Sequence, residues 1–250
     1  MSYQSSNKFL LVDGVLALTM GPESSQQYHS TLWRLRDPRA LSECMAYNGL
    51  FIMPADTGIA CSAPTISING KNYRVLDYAH ITLGQTSRVL SQGVYRPKCP
   101  VSTAAQQEGL APPIFFTIGG HVGIRLEEAA RKRTDVLDQS GFPAPLRNKT
   151  TGYLCIHWPG YQIHDAQVEL KDSKRQSITF GKLAQRVANF VDTFIGNPQR
   201  GAVPDLTSRR DDVWQPWPQA NTHIRSCITL LGVAHVSTGH WQVLLSIDEA

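Results

Sequence analysis

Apolar and polar positions alternate with two distinct periods along this chain. In residues 177–197, SITFGKLAQRVANFVDTFIGN, the apolar residues Leu183, Val187, Phe190, Val191, Phe194 and Ile195 fall at i, i+4, i+7, i+8, i+11 and i+12. That is one face of a 3.6-residue period and predicts a prominent amphipathic helix near 178–196. Ser177 or Thr179 is placed to cap it and Gly196 to end it. Leu183, Val187, Phe190 and Phe194 are the expected core face.

Elsewhere the apolar runs are short and separated by turn residues. FLLVDGVLALTM at 9–20 reads as two strands around an Asp13-Gly14 turn, and SINGKNY carries a second hairpin signal at Asn69-Gly70. Further β-type runs lie at 50–53, 65–68, 72–83 and 87–95. Asp37-Pro38 reads as a helix start and Asn48-Gly49 as its end, with Cys44 inside that helix. Residues 96–113 and 198–221, rich in Pro and turn residues, read as loops. PIFFTIGGHVGIRLEEAARKR at 113–133 reads as two strands around Gly119-Gly120 and then a helix from about Leu126. YLCIHW is a strand stopped by Pro159-Gly160, and the chain closes on two strands joined by Thr238-Gly239. The turn-rich stretch 141–152 is the best boundary, so 1–140 forms a β-rich N-terminal part and 151–250 a strand–helix–hairpin part. The two are expected to pack as one globular unit. The class is α+β: β-rich antiparallel sheets, the long helix and one or two shorter helices.

Composition refines this picture only in part. At 250 residues and 42% hydrophobic, the chain has enough apolar material for a sizeable core. The 9–20 run is too short for a membrane span and is interrupted by Asp13, which also spoils it as a signal peptide. The five cysteines (Cys44, Cys61, Cys99, Cys155, Cys227) are odd in number and contain no C-x-x-C pair. That pattern favours reduced thiols and a cytoplasmic or nuclear location. The net charge of +4 is spread thinly, with its densest patches at RKR (131–133) and KDSKR (171–175). Such a balance allows attraction to a polyanion without the clustered stripe of a dedicated nucleic-acid binder.

The segments LCIHWPGY, ITFGKLAQRVANFV and HVSTGHWQVLL resemble an uncharacterised protein group of mushroom-forming (basidiomycete) fungi. In that group a WPGY-like turn precedes a KLA..VA helix, and the chain closes on an HVS-x-G-x-WQ hairpin. The resemblance covers roughly the last hundred residues. It implies a cytosolic or nuclear fungal protein and carries no function or catalytic residue with it.

Four constellations could carry chemistry. YLCIHWPGYQIHD gathers Cys155, His157, His164 and Asp165, in which Cys155 and His157 share a strand face. Closed zinc sites use tighter ligand pairs, so neither a metal nor another cofactor is expected. PADTGIA contains the Asp-Thr-Gly triplet of aspartic proteases around Asp56, although Pro54 breaks the strand that should deliver it. STGHWQVLL is similar to the histidine-bearing strand of papain-like proteases, with His240 as base and Cys155 a candidate nucleophile, but Cys155 sits mid-strand and not at a helix start. Finally, aromatic residues lie beside basic ones: Trp158, Tyr161, Trp214 and Trp217 with Arg147, Lys149, Arg209 and Arg210. Rings of this kind stack on bases or sugars, or else pack on the core.

The reading that follows is a binding or interaction module for a polyanionic or aromatic-stacking ligand such as nucleic acid. Its ligand residues would be Trp158, Tyr161, Lys171, Lys174, Arg175, Trp214 and Trp217. A protein partner is the other candidate, and no membrane partner is expected. The alternative is a hydrolase of the Asp56 or Cys/His240 type.

Overall fold

A computed structural model describes residues 13–32, 44–55, 65–79, 87–95, 110–147, 149–196 and 224–248. Its centre is a seven-stranded sheet. Five strands run in the order β11 (His164–Glu169), β10 (Thr151–Ile156), β13 (His240–Asp248), β12 (Ile228–Ser237) and β6 (Ile114–Phe115). The short strands β5 (Ser87–Val89) and β9 (Ile124–Arg125) pair with β13 and β12. Every described pairing in this sheet is antiparallel except β10 with β13, which is parallel. A second sheet has the order β1 (Met45–Tyr47), β2 (Leu50–Pro54), β4 (Lys71–Tyr78), β3 (Thr65–Ile68), and a small hairpin joins β7 (Thr117–Ile118) to β8 (His121–Val122). The α+β class is therefore what the chain adopts.

The predicted long helix is α4, Phe180–Gly196. Thr179 caps it, its Oγ1 accepting from Lys182 N at 3.3 Å. The predicted face is buried: Leu183, Val187, Phe190, Val191, Phe194 and Ile195 join Leu154, Ile156, Trp158, Val233, Trp241 and Val243 in one apolar cluster beneath the sheet. The connector contributes Ala144 and Leu146 to this cluster. Helix α3 is short, Leu126–Ala130, and begins where the period changes.

The opposite face of the sheet, represented by Leu231, Ala234 and Leu244, is covered by helices α1 (Val15–Met20) and α2 (Pro22–Leu32) and by Phe51, Met53 and Leu76 of the second sheet. Here the pattern-based reading needs correction. Residues 15–20 form a helix and not the second arm of a hairpin. Six largely apolar residues fit either period, and the deciding group is remote: Asp77 of β4 accepts Leu16 N at 2.9 Å and so caps the first turn. Asn48-Gly49 ends no helix. Both residues have positive φ, 46° and 77°, and form the tight turn between β1 and β2, with Cys44 just before β1. Asn69-Gly70 closes β3 to β4 in the same way, as expected. Helix α2 went unpredicted because its buried positions are Ser25, Tyr28, His29 and Leu32, two of them polar. The Asp37-Pro38 helix start and the 198–221 loop lie outside the described residues, as does most of 96–113.

Candidate functional site

Strand alternation sorts the Cys155–Asp165 constellation onto two faces. In β10, Leu154 and Ile156 face α4, so Tyr153 and Cys155 face the other way. The register opposes Cys155 to Asp165 and Ile156 to His164. His164 accordingly lies on the α4 side, where its ring stacks on Phe190 at a centroid distance of 5.2 Å and meets Phe194 at a tilt at 5.7 Å. Burial holds its pKa down, with Asp165 opposing that shift. Cys155 and His164 thus point to opposite sides of the sheet. Among the described residues no group of three or more His, Cys, Asp or Glu side chains could hold a metal ion.

Cys155 itself is fully buried, and its Sγ lies 3.6 Å from the Trp241 carbonyl oxygen. Burial, and then the Asp165 carboxylate, push the thiol well above its ordinary value. A nucleophilic thiol needs the opposite environment, one that favours thiolate. His157 is half-buried just beyond the end of the same strand, and its backbone N–H donates to Gln92 Oε1 at 3.1 Å. Asp56, Trp214 and Trp217 lie outside the described residues.

Two rings expected to stack on a ligand are core rings. Trp158 has no exposed surface and packs on Phe194 at 5.9 Å, while Tyr161 meets Phe194 edge-on at 6.4 Å. The period of α4 explains this, since Phe194 points up at the turn that follows β10.

A different aromatic group does reach the surface. His240, the first residue of β13, is sandwiched between Tyr95 and Tyr153, with centroids 5.0 and 5.1 Å away and interplanar angles of 26° and 18°. The parallel register creates the second contact by pairing Tyr153 with His240. Ser237 Oγ lies 3.1 Å from His240 Nδ1 across the β12–β13 turn. The column has a closed and an open end: Tyr95 is 7% exposed and Tyr153 40%. Tyr95 is pinned by Gln242, whose Oε1 accepts its backbone N–H at 2.9 Å, and its hydroxyl donates to Asp165 Oδ2 at 3.1 Å. Burial and then Asp165 push its phenol pKa up to about 12, so the hydroxyl stays a donor at neutral pH.

The same end of the sheet collects basic residues from two segments. Leu170 N donates to Thr150 O at 2.8 Å and Tyr153 N to Gly239 O at 2.7 Å, which brings 149–150, 170–177 and the β12–β13 turn together. Arg147 and Lys149 are exposed. Burial, and then the charges of Arg147, His240 and Lys149, lower the pKa of the neighbouring His235 to about 4. Lys174 and Arg175 stand on an exposed turn bridged by Lys171 and Ser177. Asp172 Oδ1 fixes that turn by accepting from Lys174 N and Gln176 N at 2.8 and 2.9 Å.

Charge pairing separates this end from the other basic patch. In RKR, Arg131 pairs with Glu127 at 3.2 Å and Arg133 with Glu128 at 3.4 Å. At the sheet end, Arg147, Lys149, Lys171, Lys174 and Arg175 have no acidic partner among the described residues. The acids nearby are already engaged: Asp165 by Tyr95, Glu169 by Arg186, and Asp172 by backbone amides.

Comparison of the chain with protein-family models, curated proteins and solved structures finds no match. The site has to be read from its own chemistry. The sequence pointed to KDSKR, Arg147, Lys149 and His240, but not to Tyr95 or Tyr153. Tyr153 was recoverable from alternation, being two residues before Cys155 on one strand face. Tyr95 was not, because it is brought there from a distant stretch by the pairing of β5 with β13 and by its bonds to Gln242 and Asp165.

Proposed function

We propose that this chain is a binding module for a polyanionic ligand such as nucleic acid, held at the sheet end built from Arg147, Lys149, Tyr153, Lys171, Lys174, Arg175 and His240. The observation that carries this reading is the juxtaposition of five basic side chains lacking acidic partners among the described residues with an aromatic column open at Tyr153. Unpaired surface cations raise the local concentration of a polyanion and release its counterions on binding. Among the described residues no helix is long and apolar enough to cross a membrane.

The Cys155/His240 hydrolase alternative has less support, since the thiol environment favours the protonated form. The aspartic alternative rests on Asp56, outside the described residues.

The test is a titration of the protein with labelled heparin and with labelled oligonucleotides at two salt concentrations. Binding that weakens with salt is expected, together with a shallower salt dependence in a Lys149→Ala, Lys174→Ala double variant. Absence of binding below roughly tens of micromolar at low salt refutes the reading.

A further inference from the structure

We infer that the ligand is single-stranded nucleic acid, one base of which extends the Tyr95–His240–Tyr153 column by stacking on Tyr153. This rests on the polyanion reading and narrows it to one ligand class. Three rings are already stacked at near-parallel angles, and the column is closed by burial at Tyr95 and open at Tyr153. An added planar ring at the open end meets an aromatic face whose orientation is fixed from beneath by His240. His240 is itself held by Ser237. Pre-positioned aromatic faces of this kind stack bases with little regard to sequence, because every base has a π-face.

The geometry selects against duplex. A base that stacks on Tyr153 must leave its own helical stack, and bases are free to do so in single strands but not in paired helices. Tyr153 lies on a sheet face beside the exposed Gln167 of β11, with the carboxylates of Asp165 and Glu169 on the same face, so phosphates are directed to the basic strand ends and not over the ring. The basic residues flank this ring on the strand ends and connecting turns. Lys149 precedes β10, and Lys171, Lys174 and Arg175 follow β11. They are therefore placed for a phosphate backbone crossing the ends of β10 and β11 while a base lies on Tyr153. Gln167, directly opposite Tyr153 in the register, supplies an amide that can both donate to and accept from a base edge.

The experiment compares a labelled oligothymidylate, an oligouridylate of the same length, a blunt duplex and heparin, each by fluorescence anisotropy at two salt concentrations. Both single strands are expected to bind more tightly than duplex at the same salt. Tyr153→Ala should weaken single-strand binding roughly five- to hundredfold while leaving the salt slope unchanged, and Tyr153→Phe, which keeps the ring, should bind like the parent. The Lys149→Ala, Lys174→Ala double variant should flatten the single-strand slope by about 0.7 for each phosphate that is no longer neutralised. Tyr153 is exposed, so its substitutions leave the core intact. If duplex or heparin binds as tightly as the single strands, or if Tyr153→Ala binds like the parent, the inference fails and the polyanion reading stands. If none of the four probes binds, both fail.

Discussion

The two faces of the central sheet are built on different terms. Beneath α4 the buried set is almost wholly apolar, from Leu154, Ile156 and Trp158 through Val187, Val191 and Phe194 to Val243 and Leu245. On the opposite face, Leu231, Ala234 and Leu244 meet helices and a second sheet, and buried polar groups lie on both sides of that contact. Asp77 is one, accepting Leu16 N and Tyr78 N. Burial nevertheless pushes its pKa up to about 8, against those backbone donors. Ser25, His29 and Ser246 are others, with side-chain atoms that have neither exposed surface nor a hydrogen-bond partner among the described residues. One face is held by apolar packing. The other combines packing with polar groups whose burial is costly. The sheet is thus anchored from the α4 side, while the side of α1 and α2 carries the buried polar atoms that lack a hydrogen-bond partner among the described residues.

The largest effect should come from the apolar face. Phe194 is fully buried and touches the rings of Trp158, Tyr161 and His164. Phe194→Ala should destabilise the fold by about 3–5 kcal/mol, the usual cost of deleting a core aromatic ring. A urea titration reads this as a lower midpoint at unchanged slope. An unchanged midpoint would mean that the α4 face does not anchor the sheet.

The polar face should respond to acid. His29 is fully buried with both ring nitrogens unpartnered among the described residues, and burial lowers its pKa from 6.5 to about 4. A buried neutral histidine resists protonation while the unfolded chain accepts the proton, so stability is complete above the unfolded value and falls as pH drops from 6.5 to about 4. For His29 alone the loss is about 3 kcal/mol across that window. Asp77 runs in the opposite sense: its raised pKa means stability present below 3.8 and lost as pH rises through about 8. On the α4 face, His235, which pairs with Trp241 and is lowered to about 4 chiefly by burial, adds to the acid loss. Comparing the parent with His29→Phe cancels both of those groups. The variant is expected to match or exceed the parent at neutral pH and to lose about 3 kcal/mol less between the two ends of the window. Equal acid losses in parent and variant would sink the assignment.

The same contrast explains what the sequence made legible. The α4 face repeats apolar residues at helical spacing over four turns, and its position and core residues could be read directly. The terminal hairpin and the Asn69-Gly70 turn were legible because turn chemistry is local. Helix α2 was hidden because Ser25 and His29 occupy its buried face, which breaks the period. Helix α1 was misread because the group that decides its conformation, Asp77, comes from β4. At the site, the basic residues and His240 were visible by type, but Trp158 and Tyr161 were drawn into the core by α4. The ring that replaces them at the surface, Tyr153, follows from strand alternation, but its stacking on His240 comes from a parallel register that no local pattern encodes.

The smallest effect tests whether α1 is set by its remote cap. Gly14 has φ −79° and ψ 151°, a conformation open to any residue, so backbone freedom does not explain a glycine here. Space does: a Cβ at Gly14 would lie 2.3 Å from Asp77 Oδ2 and 3.0 Å from its Cγ. The carboxyl group cannot easily move aside, because Leu16 N and Tyr78 N hold it in place. Gly14→Ala should therefore cost about 1–3 kcal/mol through overpacking. The informative measurement is a double-mutant cycle with Asp77→Ala. Asp77→Ala alone leaves buried N–H donors without an acceptor, at about 1–3 kcal/mol each. It also removes the Asp77 atoms that the new methyl group would strike, leaving only Phe51 Cε2 at 3.3 Å, so Gly14→Ala should cost much less in that background. The coupling between the two sites should then account for most of the cost of Gly14→Ala. Simple additivity in urea titrations of the four proteins would mean that Asp77 does not determine the entry into α1, and that the cap of this face lies elsewhere.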